Sequence, residues 1–372
     1  MGAKTWTCPN GQVFLLSFVC AFVENVIEWQ KEICEMKIIV DAFGGDNAPQ
    51  SNVGGAVTAV NLLDDVEIVL VGDQQKIEEE IARIGYVGDK ISIVHAPDVI
   101  SNEDVPTLAI RQKKESSLVV ALDRLKNDPD VVGMVSAGST GAVLTGATLK
   151  IGRIAGVHRP AMAALLPTRK GGEVLLLDAG ANVDSKPEYL HQFAHMGSVF
   201  MGGMNNDPSP KVALLSVGTE DKKGNEFSKE VFGLLKADGR LNFLGNMEAR
   251  DILSGDYDVV VADGFAGNVA LKAIEGGINF ALFNLKTAVQ TGGLRAKIGY
   301  LFMKKPIATT KSKVDYRNFG GAPFLGVKKP VIKSHGSSTA KTIYASIVQV
   351  KRMHEFKMTE KLCRLFGEDK ND

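Results

Sequence analysis

Val131-Val132-Gly133-Met134-Val135-Ser136-Ala137-Gly138-Ser139-Thr140-Gly141-Ala142 is a short apolar run that breaks into glycines and hydroxyls and then leads straight into a helix. An apolar run without alternation reads as a strand covered on both faces. The same pattern recurs on either side of it. Further strand candidates are Ile38–Asp41, Val66–Val71, Ile91–His95, Ala161–Leu166, Val174–Asp178, Val212–Val217 and Val259–Asp263. Helix candidates lie between them at 75–84, 117–126, 187–204 and 227–236. Alternating β and α predicts an α/β fold: a mainly parallel sheet with helices on both faces, in three α/β/α layers. Such sheets bind ligands beyond the carboxyl ends of their strands, so the residues just after each strand are the ones to inspect.

The bulk properties narrow the function. Of 372 residues, 45% are hydrophobic, enough for a large core. Lys and Arg balance Asp and Glu at 43 each, so any attraction to nucleic acid or membrane must be local. No apolar run reaches the roughly 18–20 residues of a membrane span. Cys8, Cys20 and Cys34, with both tryptophans, crowd into residues 1–35, and the fourth cysteine is Cys363. The core therefore has no cysteine framework, thiol nucleophile or cysteine metal site. Residues 1–35 loosely resemble a secretory signal, but no small-x-small cleavage site follows their apolar stretch. They are expected to be an extension outside the fold, with 36–352 as the α/β domain and 353–372 as a charged tail.

Five strand ends are rich in small and polar residues: 41–46, 136–142, 178–184, 263–268 and 334–338. A Gly-rich, hydroxyl-bearing loop at a helix N-terminus offers converging N–H groups to an anion, although Ser and Thr there are often plain caps. The chain has no P-loop, no G-x-G-x-x-G after its first strand, no nucleophile elbow and no H-E-x-x-H. His191 and His195 stand at i, i+4, a spacing that can bind zinc. With no carboxylate or cysteine partner near them in sequence, they read as ordinary surface or core histidines. No metal and no cofactor is expected.

The same loops, in order and at matching spacing from Met36 to about Val350, resemble the phosphate acyltransferase family. The matching stretches are 40–46, 136–142, 159–161, 177–182, 243–248, 263–268, 319–326 and 334–338. Two stretches depart from the family pattern. Ser139 stands where the family has Asn, and Ser216-Val217-Gly218-Thr219-Glu220 stands for Asn-Ile-Gly-Glu-Glu. The resemblance implies a Rossmann-like fold related to phosphotransacetylases and isocitrate dehydrogenases. It also implies transfer of a fatty acyl group from acyl carrier protein to inorganic phosphate. The product would feed a membrane glycerol-3-phosphate acyltransferase in phospholipid synthesis. Rival readings are a phosphotransacetylase using short acyl-CoA, a dinucleotide-dependent dehydrogenase and a catalytically silent membrane scaffold.

That reaction asks little of a general base, because a phosphate group is largely dianionic at neutral pH and a thiol leaves readily. It needs an anion held against a carbonyl and a stabilised oxyanion. Under the resemblance, Ser136, Gly138, Ser139, Thr140, Gly141 and Ser337 are expected to bind phosphate. His335, by analogy with the Arg of a Ser-Arg-Gly motif in phosphotransacetylases, would face the thioester. Asn182, Asn268 and Lys223 complete the expected catalytic set. Asp41, Asp46, Arg159, Asp178 and Asp263 are expected to support it.

Residues 276–314 contain no Asp or Glu but seven basic residues, including Arg295, Lys297, Lys304 and Lys305. Phe283, Leu294, Ile298, Tyr300, Leu301 and Phe302 are interleaved with them. This mixture suits an anionic membrane surface or an acidic carrier protein, with a dimer-interface hairpin as the plainer alternative. The resemblance favours a cytoplasmic, peripherally membrane-associated homodimer. Nucleic acid is not an expected partner of an otherwise neutral chain.

Overall fold

The computed structural model describes residues 36–314 and 319–367; the expectation for residues 1–35 lies outside the described residues. The chain opens with β1 (Met36–Asp41), α1 (Gln50–Leu62), β2 (Val66–Gly72), α2 (Gln74–Ile84) and β3 (Ile91–His95). Next come α3 (Pro106–Gln112), α4 (Ser117–Asn127), β4 (Val131–Ser136) and α5 (Thr140–Gly146). The second half contains β5 (Ala161–Pro167), β6 (Glu173–Leu177), α6 (Pro187–Asn205), β7 (Lys211–Ser216), α7 (Glu226–Ala237), β8 (Asn242–Glu248) and β9 (Val259–Val261). Last are α8 (Gly264–Thr291), α9 (Gly293–Val314), β10 (Ala322–Leu325), β11 (Val331–Lys333), α10 (Ala340–Glu355) and α11 (Met358–Gly367).

The described strands form one sheet in the order β3-β2-β1-β4-β11-β10-β5-β6-β9-β7-β8. Burial on both faces explains the unbroken apolar runs. In β1, Ile38 and Val40 enter one core while Ile39 enters another. In β9, Val259 and Val261 face the first core and Val260 faces a third. That first core continues from β1 through β6 to α6 and α7, so it binds both halves of the sheet into one body.

The sheet is an α/β sheet as expected, but its centre is antiparallel. Two parallel blocks, β3-β2-β1-β4-β11 and β6-β9-β7-β8, are joined through antiparallel pairings of β11 with β10, β10 with β5 and β5 with β6. Three reversals make the two blocks run in opposite senses. Strands β8, β10 and β11 escape sequence reading for a physical reason. The latter two have four and three residues, and β8 is interrupted by Gly245 and carries Asn242, Asn246 and Glu248.

The expected tail requires correction. Residues 358–367 form α11, whose Met358, Leu362 and Phe366 are buried in the first core. These three recur every four residues on one helix face, a stripe that the surrounding charges conceal.

At the other extreme, α8 starts in the body, where Gly264, Gly267 and Leu271 are buried, and then projects away from it. It turns at Gly292 and Gly293 into α9, so the basic, apolar segment is a helical hairpin. Phe283, Leu294, Leu301 and Phe302 on it are exposed to solvent. No described helix is long and apolar enough to cross a membrane.

Candidate active site

Three loops of the first block interlock. Asp46 N–H donates to the Gly336 carbonyl at 2.8 Å, and Ser334 N–H to that of Ser136 at 2.9 Å. Gly44 packs so closely on this junction that a Cβ there would lie 2.6 Å from the Gly138 nitrogen. The buried Asn52 of α1 ties down the first loop, its Nδ2 donating to the carbonyls of Asp41, Ala42 and Gly44 at 2.9–3.0 Å. Asp41 accepts from the Ser136 hydroxyl at 2.7 Å and from the Phe43 N–H. Burial pushes the Asp41 carboxyl above its usual range, and these hydrogen bonds oppose the rise.

The second block builds a matching brace. Asp178 is fully buried after β6 and accepts from the N–H groups of Met162, Gly180, Ala181 and Asn182 and from Asn182 Nδ2. Burial again raises its carboxyl, against that set of donors. Asp263 caps α8 by accepting from Phe265 and Ala266 N–H. The helix then runs so close to the Asp178 loop that a Cβ on Gly267 would lie 1.9 Å from the Asp178 carbonyl oxygen.

Between the two braces, over the antiparallel strands, lies a cavity of about 460 Å³. Thr140 and Gly141 at the start of α5, Gly180 after β6, Asn268 on α8, and Lys333 and His335 around the end of β11 all line it. A second cavity of about 860 Å³ meets it at Glu275 and His335 and extends between α8 and α9. Its walls include Ile278, Leu282, Phe283, Val289 and Ile307. The place where the sheet reverses is thus the place where loops of both blocks converge.

The structure sorts the anticipated residues. Thr140, Gly141, Asn268 and His335 meet at the first cavity, and Ser337 lines the second beside His335. Ser139 is the residue before α5, yet its hydroxyl makes no capping bond. Ser136, Asp41, Asp178 and Asn182 are committed to bracing, so Ser136 and Asn182 do not offer open polar groups as expected. The Asn182 amide donates to the Pro160 carbonyl and to Asp178. Gly138 donates its N–H to the Ser136 hydroxyl. Arg159 and Lys223 are exposed and line neither cavity. Lys223 follows β7, two strands beyond the reversal, and Arg159 precedes β5 rather than following a strand.

Lys333 is the residue that sequence reading missed. Parallel pairing of β11 with β4 sets it beside Ser136. It is buried, its Nζ donates to the carbonyls of Ser334 and, at 3.5 Å, Ala137, and burial pushes its ammonium down to about 8. Asp46 and Asp41 oppose that shift, while Lys272 on the cavity wall adds to it. Lys272 is itself paired with Glu275 at 2.8 Å. On the opposite lip, Ser337 donates its N–H to His335 Nδ1 at 3.2 Å. Nδ1 also lies 2.9 Å from the Ser337 hydroxyl; with Nδ1 accepting from both groups, the neutral ring carries its proton on Nε2. A buried cation, a helix N-terminus and an imidazole donor give the cavity the character of an anion site.

Residues 36–361 match the family described as "Fatty acid synthesis protein". The phosphate acyltransferase of Clostridium botulinum (strain Alaska E43) is 45% identical over 336 residues, covering 90% of this chain and all of that protein. That of Bacillus subtilis (strain 168) is 44% identical over 338 residues, covering 91% of this chain and all of that protein. Among solved structures, a phosphotransacetylase from Streptococcus pyogenes superposes with a TM-score of 0.55 at 16% identity, covering 89% of this chain and 99% of its own. The EutD phosphotransacetylase of Staphylococcus aureus gives 0.56 at 16%, covering 86% and 94%. The structural likeness supports the α/β fold, and the sequence likeness extends through the loops that build the cleft: the chain belongs to the phosphate acyltransferase family of enzymes.

Proposed function

We propose that this enzyme moves a long fatty acyl group from the thioester of acyl carrier protein to inorganic phosphate, releasing acyl phosphate and the carrier thiol. The carrying observation is a cavity of about 460 Å³ that sets Lys333, His335 and Asn268 against a wall of Leu144, Met162, Leu165, Leu166 and Leu271 and opens at His335 into one of about 860 Å³ between α8 and α9. An acetyl group needs no such apolar volume, whereas a fatty chain does. Phosphate binds among the α5 N-terminus, Lys333 and Ser337. One of its oxygens attacks the thioester carbon, the C–S bond breaks and the thiolate leaves as the carbonyl re-forms. His335 Nε2–H and Asn268 stabilise the oxyanion of the tetrahedral intermediate, and Asp41, Asn52 and Asp178 hold the loops in place.

The exposed aromatic and basic residues of α8 and α9 support docking of an anionic membrane surface, where a membrane glycerol-3-phosphate acyltransferase would take the product. They also suit the acidic carrier protein and pairing of two copies. Purified protein incubated with palmitoyl-acyl carrier protein and phosphate should release free carrier protein only when phosphate is present. Turnover with acetyl-CoA and none with the carrier thioester would instead identify a short-chain phosphotransacetylase activity.

A further inference from the structure

His191 and His195 occupy one face of α6, separated by one helical turn. The partner absent from their sequence neighbourhood arrives through folding. Asp238, the residue that ends α7, directs Oδ2 at both rings, 2.9 Å from His191 Nε2 and 2.8 Å from His195 Nε2. One ligand atom from each of the three lies within 4.8 Å of the others. The rings stand edge to face, 5.0 Å between centroids, so their nitrogens converge rather than stack. His195 and the Asp238 side chain are largely buried, and the His191 side chain is 26% exposed.

The carboxylate is oriented from behind. Its Oδ1 accepts the Arg240 backbone N–H at 3.0 Å, a bond that stays in place if the Arg240 side chain moves away. A ligating carboxylate held by hydrogen bonds of its own is the usual outer support of a metal centre. A tetrahedral zinc ion with bonds of about 2.0–2.1 Å spaces its ligands about 3.3 Å apart. The two Asp238–imidazole separations, 2.9 and 2.8 Å, need to open by only about half an ångström, and the imidazole nitrogens lie within 4.8 Å of each other. Two imidazoles and one carboxylate form a donor set that suits zinc better than calcium or magnesium.

We propose that His191, His195 and Asp238 form a zinc site on the helical layer, sharing no residue with the cleft. Metal binding requires each Nε2 to give up its hydrogen bond to Asp238 and present a lone pair, the ring proton moving to Nδ1. Arg240 is the internal competitor. Its Nη2 lies 2.9 Å from Asp238 Oδ2 and 3.5 Å from His195 Nε2, within the space the ion would enter. The Arg240 side chain is 54% exposed, so it can withdraw into solvent as the metal arrives. The ion would tie α6 to the turn after α7 and stabilise the fold by binding it in preference to the unfolded chain.

The test uses the full chain, without a polyhistidine tag and stripped of metal, titrated with zinc by calorimetry and with cobalt by visible absorption. Wild type should bind one zinc per chain, gain thermal stability with it and give the d–d bands of a low-coordinate cobalt centre. His191→Ala should weaken zinc binding by more than about 100-fold, beyond the usual cost of losing an outer support. Because His191 is partly exposed, that variant should still fold, and its metal-free melting curve checks this. Arg240→Ala should tighten zinc binding several-fold while lowering metal-free stability. A role limited to salt-bridge stabilisation predicts the stability loss without the tighter binding. Absence of stoichiometric zinc in wild type would overturn the proposal. So would binding that persists unchanged in both His191→Ala and Asp238→Asn, which would place the metal elsewhere in the chain.

Discussion

The cleft and the α8–α9 hairpin differ in how far the fold determines them. Around the cleft, buried side chains are locked by several contacts each. Asp178 accepts four backbone N–H groups, and Asn52 reaches three carbonyls. In the hairpin, Phe283, Leu294, Leu301 and Phe302 face solvent, and α9 packs mainly against α8. The first arrangement fits a reaction that depends on holding an anion against a carbonyl, where small displacements carry large rate penalties. The second leaves an exposed apolar and basic surface, of the kind that serves contacts with other molecules. Substitutions should therefore divide sharply. Those in the cleft should change turnover or stability, and those on the hairpin that lie outside the cavity, such as Leu301, Phe302, Lys304 and Lys305, should change neither while altering association.

The largest effect is expected at the cleft's two polar donors. His335→Ala should cut kcat/KM by about 10²–10³-fold, the range for loss of one oxyanion donor, with an unchanged melting temperature. A loss below tenfold would remove His335 from the site. Lys333→Met should lower phosphate-dependent turnover comparably, and Lys333 also predicts a pH signature. Its ammonium is pushed down from 10.5 to about 8 by burial. Between those values the unfolded chain holds more protons than the folded one, so this residue's contribution to stability rises with pH across the window. Below about 8 the cost of its buried charge is fully present. Turnover should move the opposite way, falling as pH rises through about 8 and the phosphate loses its cation. Parallel pH profiles of melting and of kcat/KM, in wild type and Lys333→Met, would check both limbs; identical profiles in the two proteins would break the assignment.

Bracing residues should have smaller effects, and on stability first. Asn52→Ala leaves three buried carbonyls without their donor and should cost about 1–3 kcal/mol in denaturant unfolding. Its turnover should fall mainly through looser loops, with a partial recovery in Asn52→Gln if the amide, rather than its reach, matters. A variant that unfolds normally and turns over normally would mean that the interlocked glycines at 44 and 138 suffice alone.

The division between site and brace was only partly legible in the sequence. Strand ends are visible locally, because an apolar run breaking into glycine and hydroxyls is a short-range pattern. Which block a strand joins is not, since three-residue β11 and four-residue β10 are too short to stand out, and they reverse the sheet. Lys333 was overlooked for that reason: without β11 as a strand, it is one more lysine after Lys328 and Lys329. Lys223 and Arg159 looked equally good as cations, but the strand order carries both away from the reversal. Ser136 and Asn182 matched the chemistry of an anion site by residue type. The commitment of Ser136 to Asp41 becomes visible only when β1 lies beside β4, and that of Asn182 only when its loop folds back on Asp178 and meets the Pro160 carbonyl. Likewise, Asp238 stands 43 residues from His195, beyond any motif window.

The hairpin offers the smallest expected change in stability and the cleanest separation of the two regions. Phe302 and Leu301 on α9 are exposed, as are Lys304 and Lys305 beside them. Replacing the two lysines by glutamate should shift unfolding by no more than about 0.5 kcal/mol, as is usual for surface substitutions. If an anionic surface is the partner, each basic residue near it contributes about 1 kcal/mol. Reversing two charges should then abolish sedimentation with phosphatidylglycerol vesicles at low salt. Phe302→Ser should weaken it less, and should do so at high salt as well, because burying an aromatic ring is not screened by ions. Turnover with soluble carrier thioester would remain at the wild-type level in all of these variants if membrane contact alone is lost. Should the charge reversal instead raise KM for the carrier thioester without altering kcat, the basic face would be the carrier's docking surface. The hairpin would then be tied to the cleft by its substrate rather than by the membrane.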